Sequence, residues 1–387
     1  MDAARLVEEY VRGDFFFATA ETTLHAAGVA AELTGTDEVA LAERVRTVLP
    51  TAAAPVAVGV LPFTSAEPDA TPGRLVLPET VRFAGPAHPG VNRLPRRDVG
   101  TPVRVRSLPD GRRHAAAVAR AVTELRARNL RKVVLARALD VEFAEPVSPE
   151  AILCNLVKDN RRGYTFGAGL PGGRTLVGAS PELLLSRRGT RVVSHPHAGS
   201  MPRSPDPVTD TENGKALLAS RKDHIEHAVL TEAVAEALRP FCRTLDVPSV
   251  PELVSTPTMW HLGTTIRGEL ADRDVTALRL AAALHPTPAI CGTPTESARQ
   301  LAGELEPFER GYYAGAVGWV DAEGDGEWAV SIRCAEVAQR SLRLYAGGGI
   351  VPESDPDAEL AETSAKFATL ARAMGFPRGW PAGHEGG

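Results

Sequence analysis

The stretch 312–351, YYAGAVGWVDAEGDGEWAVSIRCAEVAQRSLRLYAGGGIV, decides the fold class. Its β-branched and aromatic runs are separated by an acidic, Gly-rich turn, a pattern that predicts consecutive antiparallel strands. A helical pattern, DPDAELAETSAKFATLARAMG, follows at 355–375. Antiparallel strands mixed with helices, without regular β-α-β alternation, predict an α+β fold and argue against a Rossmann or TIM-type fold.

The same mixture continues upstream of this stretch. We predict a helix within 1–13, Pro- and Gly-rich short strands over 51–113, and an exposed basic connection at 92–114. Further on, the pattern predicts a strand at 131–143, hairpins at 164–179 and 183–199 (the second turning at Arg188-Gly189), a helical region at 209–239 and a strand at 260–270. The tail 376–387 is rich in Pro and Gly, and we expect it to be flexible.

Composition narrows the function classes. The chain has 387 residues, is 43% hydrophobic and 24% charged, and carries a formal net charge of −5. A disordered chain would be less apolar, and a nucleic-acid-binding protein would be basic. The four cysteines form no CxxC pair, and we find neither a signal peptide nor a membrane-spanning segment. These features predict a cytoplasmic protein with no nucleic-acid or membrane partner, and monomer is the default expectation.

Acidic residues at helical spacing form the first candidate site. Asp223 and Glu226 lie on one helix face, and Glu359, Glu362 and Lys366 lie on another. Oxygen ligands from two helices, without a His/Cys cluster, suit Mg²⁺. Solvated helix faces with an internal ion pair are the alternative.

Arg333 and the glycine run Gly347-Gly348-Gly349 are candidates for anion binding. Arg333 lies in the apolar segment WAVSIRCAEV, which we interpret as one strand. A buried arginine needs an anion, and its planar fork suits a carboxylate. The glycines follow a strand and would let backbone N–H groups approach a ligand. A structural ion pair and a plain turn are the respective alternatives.

Lys132 and Glu182 are candidates for proton transfer. Lys132 begins a strand, where a lysine is commonly solvated, but enclosure would make it a useful base. Glu182 follows Ser180-Pro181 and is interpreted as capping a helical turn. In apolar surroundings its pKa would rise, as a general acid requires. We expect the histidines to be satisfied core residues.

Ten of these segments occur in one order that closely resembles the chorismate-utilising enzymes, which comprise isochorismate, salicylate, anthranilate and aminodeoxychorismate synthases. The resemblance covers about 115–375 and is loose over the first hundred residues. The segments, in order, are KVVLAR, LVGASPELLL, AGSMPR, RKDHIEH, HLGTTIRG, HPTPAICGTP, RGYYAGAVGW, SIRCAEV, YAGGGIV and PxxELxETxxK.

The resemblance implies one intertwined α+β fold, with antiparallel sheets packed as a sandwich and helices outside. It implies that 1–114 is the N-terminal part of this fold and that 115–375 is the chorismate-binding catalytic region. For the site it implies a general base at Lys132, a general acid at Glu182, and Mg²⁺ bound by Glu226 and Glu362 with Asp223 and Glu359 around them. Chorismate would be bound by His261, Thr264, Tyr313, Arg333, Gly347, Gly348, Gly349 and Lys366.

The resemblance also points to a branch of the family. Anthranilate-type enzymes are similar to one another in carrying glutamine where this chain has Lys132, so the lysine favours water as the nucleophile. The segment HPTPAICG at 285–292 resembles isochorismate synthases of siderophore and menaquinone pathways. We therefore predict an Mg²⁺-dependent isochorismate synthase. A salicylate synthase and a non-catalytic chorismate-binding subunit are the alternatives.

Overall fold

The computed structural model describes residues 2–63, 71–128 and 130–376. Within these ranges the helices are α1 Ala3–Glu9, α2 Glu38–Val48, α3 Gly111–Arg128, α4 Pro149–Asp159, α5 Pro207–Ala219, α6 Arg221–Leu238, α7 Ala277–Leu284, α8 Thr295–Leu305 and α9 Pro356–Ala373. In the ranges searched, no helix is both long enough and apolar enough to cross a bilayer.

The strands of the same ranges are β1 Phe15–Ala18, β2 Thr23–Ala27, β3 Ala31–Gly35, β4 Val56–Leu61, β5 Gly73–Leu77, β6 Thr80–Ala84, β7 Pro102–Leu108, β8 Lys132–Phe143, β9 Tyr164–Leu170, β10 Arg174–Ser180, β11 Leu183–Arg188, β12 Arg191–His195, β13 His197–Pro202, β14 Cys242–Asp246, β15 Glu252–Ser255, β16 Met259–Gly263, β17 Ile266–Leu270, β18 Gly292–Thr293, β19 Ala316–Asp321, β20 Gly326–Val330, β21 Cys334–Val337 and β22 Ser341–Ile350.

These strands form antiparallel sheets. A ten-stranded sheet runs in the order β18-β8-β22-β21-β10-β9-β1-β2-β6, with β7 also paired to β8. A nine-stranded sheet runs β14-β17-β12-β11-β20-β19-β4-β5-β3, and β13-β16-β15 form a small third sheet. Strands from the N-terminal third therefore extend both large sheets that contain the later strands.

The two large sheets pack face to face. Phe15 and Phe17 of β1 are buried in one apolar cluster that also contains Val58 of β4, on the other sheet. Phe16, which points to the opposite face of β1, is buried in a second cluster with residues of α1, α4 and α9. The predicted α+β sandwich with outer helices is confirmed.

Several local predictions are confirmed. The hairpin β9–β10 turns at 171–173, where Gly172 and Gly173 have positive φ angles of 74° and 70°. The hairpin predicted at 183–199 turns at Gly189, with φ 60°, but its second strand ends at His195, because β13 begins at His197 and joins the small third sheet. Glycine takes these left-handed conformations without a steric penalty from Cβ.

Other boundaries were wrong. The helical region 209–239 is two helices, because Ser220 interrupts it and its Oγ accepts the N–H of Asp223 at 3.3 Å to cap α6. The strand predicted at 260–270 is broken at 264–265, because β16 and β17 belong to different sheets. The connection predicted at 92–114 contains β7, which pairs with β8, and the first turn of α3.

The predicted tail 376–387 lies outside the described residues except for Phe376. That side chain stacks on Phe143 of β8, with ring centroids 6.4 Å apart.

Candidate active site

A cleft lies where β8 and β22 meet the starts of α6 and β13 and the middle of α9. The predicted site residues that line it are Lys132, Glu182, Asp223, Glu226, His261, Tyr313, Arg333, Gly347, Gly349, Glu362 and Lys366. Three others, Thr264, Gly348 and Glu359, are buried outside this lining. Residues more than 200 positions apart in sequence thus share one concave surface.

Lys132 and Glu226 form a buried ion pair at one end of the cleft. Lys132 begins β8 and is only 4% exposed, so the expectation of a solvated lysine was wrong. Its Nζ donates to Glu226 Oε1 at 2.6 Å. Burial acts to raise the pKa of Glu226, but the ammonium group of Lys132 outweighs burial and holds that pKa below its ordinary value. Glu226 is therefore an anion.

The glycine run lies within β22 itself, so it neither follows the strand, as predicted, nor forms the turn that was the alternative. Gly347, Gly348 and Gly349 pair with Ala136, Leu135 and Val134 of β8. A Cβ on Gly349 would lie 2.6 Å from Lys132 Cε and 2.7 Å from Glu226 Oε1. Such distances are shorter than van der Waals contact. A side chain at position 349 would therefore displace the ion pair, and glycine leaves the pair in place.

The other two glycines make room in the same way. A Cβ on Gly347 would lie 2.8 Å from the hydroxyl of Tyr313, and one on Gly348 would lie 2.9 Å from Glu359 Oε2. The ring of Tyr313 stacks on Tyr345 with centroids 4.9 Å apart and planes 6° apart. The run therefore lets four candidate site side chains approach the strand, on both of its faces.

Glu182 lies in the short connection between β10 and β11 and is 3% exposed. It caps no helix, so that interpretation was wrong. Burial raises its pKa to about 7, although a hydrogen bond from the backbone N–H of His197 and the charge of Lys132 act in the opposite direction. Near neutral pH a substantial fraction of this carboxyl group therefore carries a proton.

Arg333 is buried where the chain leaves one sheet for the other. The segment predicted as one strand is broken at 331–333, because β20 belongs to the nine-stranded sheet and β21 to the ten-stranded sheet. Arg333 has φ 50°, a left-handed conformation that is costly for a side chain other than glycine. This backbone turn places the guanidinium group at the cleft instead of between the strands.

The guanidinium group of Arg333 has no carboxylate within ion-pair distance among the described residues. The polar contact found for it is with His261, whose Nε2 lies 3.5 Å from Nη2. Burial lowers the pKa of Arg333. The structural ion pair considered from sequence is therefore not formed. An uncompensated buried cation is costly unless a ligand supplies the anion.

His261 is held as a neutral acceptor toward Arg333. Its Nδ1 lies 3.3 Å from the carbonyl oxygen of Gly199 and 3.0 Å from the hydroxyl of Ser200. Burial, together with the charge of Arg333, moves the pKa of His261 well below its ordinary value. The ring therefore fixes the guanidinium group without adding charge.

Acidic side chains from α6 and α9 gather at the same side of the cleft as Lys132. Glu362 accepts from Lys366 Nζ at 2.6 Å, and that ammonium also donates to the carbonyl oxygen of Gly347 at 2.8 Å. Burial and neighbouring carboxylates raise the pKa of Asp223, and they raise the pKa of Glu359 to about 7. Glu359 Oε2 is buried with no hydrogen-bond partner in the described structure.

These carboxylates do not form a closed ligand set. In residues 2–63, 71–128 and 130–376, no three His, Cys, Asp or Glu side chains converge tightly enough to hold a metal ion by themselves. The alternative from sequence, that these acids lie on solvent-exposed helix faces, is wrong for Glu226 and Glu359. Both side chains are enclosed. We call Asp223, Glu226, Glu359 and Glu362 the acidic wall. Each of the three glutamates lies within ion-pair distance of a lysine.

Lys222 and His197 are among the cleft residues that the sequence prediction did not name as site residues. Lys222 lies 3.7 Å from Glu359 Oε1 across α6 and α9, and its place in the segment RKDHIEH could have indicated it. His197 lines the cleft, and neither of its ring nitrogens has a hydrogen-bond partner among the described residues, so it is not the hydrogen-bonded core histidine that we expected. His285 is one, because its Nε2 lies 2.8 Å from the carbonyl oxygen of Pro62. Thr264 contacts His227 Nε2 at 2.7 Å.

The chain belongs to the chorismate-binding enzyme family, whose model matches residues 94–375. It is 47% identical to isochorismate synthase DhbC of Bacillus subtilis over 388 residues, which cover 96% of each chain. A crystal structure of DhbC from Bacillus anthracis, described as a 2,3-dihydroxybenzoate-specific isochorismate synthase, superposes with a TM-score of 0.90 at 42% identity and covers 97% of this chain and 100% of that one. MenF of Escherichia coli, a menaquinone-specific isochorismate synthase, gives a TM-score of 0.83 at 26% identity and covers 97% and 91%. The family resemblance is confirmed.

Proposed function

We propose that this enzyme is an isochorismate synthase, an isomerase that interconverts chorismate and isochorismate. The observation that carries the proposal is the buried guanidinium group of Arg333, which has no carboxylate within ion-pair distance among the described residues and lines a cleft shared with Lys132 and Glu182. Chorismate is a dianion, and the chain is acidic overall, so its recognition needs such a local cation. The 47% identity to DhbC over nearly the whole chain supports the same reaction.

Lys132 and Glu182 are proposed as the base and the acid. Lys132 acts in its neutral amine form: water attacks C2 of the ring and gives a proton to this amine, the ring double bonds shift, and the C4–oxygen bond breaks. Glu182 gives its proton to the departing oxygen, which leaves as water. The net change is a hydroxyl transposition with no oxidant or reductant. The raised pKa of Glu182, which burial brings to about 7, keeps a proton available for this step.

The cations and the backbone of the cleft are proposed to bind the two carboxylates of chorismate. Arg333 supplies a planar fork that suits a carboxylate, and Lys366 supplies a second cation. Tyr313 and the backbone of the glycine run 347–349 would complete these contacts. His261 orients Arg333, and Thr264 supports the ring side of the site through His227.

The acidic wall fits Mg²⁺. It offers oxygen atoms alone, which Mg²⁺ prefers, and Glu359 Oε2 is a buried acceptor that lacks a partner in the described structure. We propose that Glu226 and Glu362 bind the ion, with Asp223 and Glu359 around them. When bound, Mg²⁺ supplies positive charge toward a substrate carboxylate.

We further propose how the protein is organised and where it acts. Residues 1–114 complete the sheets of one intertwined unit, and 115–375 carry the catalytic region. Free cysteines at four positions suit the reducing cytoplasm. The higher identity to DhbC than to MenF favours a siderophore pathway through 2,3-dihydroxybenzoate over menaquinone. The enzyme is expected to act as a monomer without nucleic-acid or membrane partners.

The test is incubation of the purified protein with chorismate, with and without Mg²⁺. Products are separated by chromatography, and pyruvate is followed with lactate dehydrogenase. We expect isochorismate at a constant final ratio to chorismate, dependent on Mg²⁺ and without pyruvate. Salicylate with equimolar pyruvate would identify a salicylate synthase instead. Absence of turnover by folded protein with Mg²⁺ would identify a non-catalytic chorismate-binding subunit.

A further inference from the structure

His197 is a buried polar side chain that the proposed mechanism does not use. It is the first residue of β13, it is 7% exposed, and it lines the cleft. Neither ring nitrogen has a hydrogen-bond partner among the described residues. Buried side-chain polar atoms are nearly always paired, and an unpaired one costs about 1–3 kcal/mol. A ring with both nitrogens unpaired therefore points to a ligand that pairs with it.

The packing around His197 holds the ring in one place. His195 meets it edge-on with centroids 4.4 Å apart, and His261 lies nearly parallel to it at 5.9 Å. Gly263 pairs with His197 across β13 and β16, and a Cβ there would lie 2.9 Å from His197 Cδ2. The neighbours thus position the ring by contact and leave its nitrogens unbonded.

The imidazole of His197 is neutral in these surroundings. Burial moves its pKa well below the ordinary value, and the nearby histidines and Arg333 act in the same direction. A neutral imidazole has one N–H donor and one nitrogen acceptor. A hydroxyl group can accept from the N–H or donate to the other nitrogen, so it is a complementary partner for either one of the two.

The position of His197 identifies which hydroxyl group it can reach. Its own backbone N–H donates to the carboxyl group of Glu182, so the two residues lie side by side at the acid end of the cleft. In the proposed reaction Glu182 protonates the hydroxyl that leaves C4. Because Glu182 and His197 are neighbours that both line the cleft, a substrate oxygen at Glu182 also lies next to His197.

We propose that His197 is a substrate-contacting residue that hydrogen-bonds the C4 hydroxyl of chorismate and orients it for protonation by Glu182. This inference rests on the proposed isochorismate synthase activity. His197 donates its N–H to the oxygen and stays neutral throughout. The proton that completes the departing water comes from Glu182, and the C4–oxygen bond is the bond that breaks.

The experiment compares His197→Leu, His197→Gln and a matched control, His114→Leu. His114 is also a buried histidine, with Nε2 unpartnered in the described structure, but it lies in α3 and does not line the cleft. We expect His197→Leu to lower kcat/KM for chorismate about 10- to 100-fold. His197→Gln, which keeps a donor and an acceptor, should retain most of the activity, and His114→Leu should match the wild type.

A substrate analogue separates contact from packing. The inhibition constants of a chorismate analogue without the C4 hydroxyl are measured for the wild type and for His197→Leu, together with thermal unfolding of both. We expect equal inhibition constants and an unfolding temperature that is unchanged or raised. The inference is overturned if His197→Leu keeps wild-type kcat/KM, or if it weakens the analogue as much as chorismate. An inactive wild type would instead overturn the proposed function.

Discussion

The two ends of the cleft differ in how their charges are balanced. At the base end Lys132 is paired with Glu226 and Lys366 with Glu362, each at 2.6 Å. At the acid end Glu182 and Arg333 are buried, and neither has an ion-pair partner among the described residues. At the base end, the charges are thus balanced by ion pairs within the protein. At the acid end, burial sets the protonation of Glu182, and a substrate carboxylate would balance the charge of Arg333.

This difference separates two ways of preparing a group for proton transfer. Paired charges fix the geometry of Lys132, because the ammonium group and the carboxylate attract each other in a low-dielectric site. Burial without a partner instead changes the proton affinity of Glu182, whose pKa is raised to about 7. Variants at the base end should therefore alter rate and metal response, and variants at the acid end should alter pH dependence.

The largest effect is expected for Lys132→Ala. Loss of the proposed base should lower kcat by about 10²- to 10⁴-fold, measured by chromatography of the products formed from chorismate. Lys215→Ala, an exposed lysine of α5, is the control and should keep the wild-type rate. Retention of the wild-type rate by Lys132→Ala would show that the base is another group.

A smaller effect is expected for Glu226→Gln, which removes one carboxylate from the acidic wall. The Mg²⁺ concentration for half-maximal activity should rise about 10- to 100-fold, because a neutral amide binds the ion more weakly. The measurement is a Mg²⁺ titration of initial rates, with circular dichroism to confirm folding. Glu232→Gln, at an exposed position of the same helix, should titrate like the wild type. An unchanged titration for Glu226→Gln would remove Glu226 from the metal site.

The acid end predicts a pH dependence. Conversion of chorismate requires protonated Glu182, so kcat/KM should fall about tenfold per pH unit above pH 7. Glu182→Gln should lose most of the activity together with this alkaline limb. Glu327→Gln is the matched control, because burial also raises the pKa of Glu327 to about 7, and Glu327 does not line the cleft. An alkaline limb that moves in Glu327→Gln and not in Glu182→Gln would contradict the assignment.

The smallest effect concerns stability. The pKa of Glu182 is raised from 4.5 to about 7 by folding, so the charged form is disfavoured in the native state. Below pH 4.5 both states are protonated and the native state bears no penalty. As the pH rises the penalty grows, and above pH 7 it levels off at about 3–3.5 kcal/mol, because each pKa unit corresponds to about 1.4 kcal/mol. Glu182→Gln should therefore match the wild type in thermal unfolding at pH 4.5 and exceed it at pH 8, and equal curves at both would contradict burial of the carboxyl group.

The sequence predicted elements wherever local pattern and tertiary context agree. The turns at Gly172 and Gly189 need a left-handed backbone. Glycine adopts that conformation without help from distant residues, so the residue type alone predicts the turn. The breaks at Ser220, at 264–265 and at 331–333 were missed, because the residues on either side keep the same local preference while the chain changes helix or sheet. The secondary-structure preference of a segment does not indicate which sheet its strand joins.

The sequence by itself determined the family, the α+β class and the residue types available for the chemistry, because ordered motifs and hydrophobic periods are local properties of the chain. The tertiary structure decided which of these residues are in contact. Lys132 pairs with Glu226, which is 94 positions away in sequence, and Gly349 lies beside both side chains. Burial also raises the pKa of Glu182. Among the described residues, Arg333 has no carboxylate partner, and His197 lines the cleft with neither ring nitrogen hydrogen-bonded. Burial and pairing depend on residues distant in sequence, and only the folded chain brings those residues into contact.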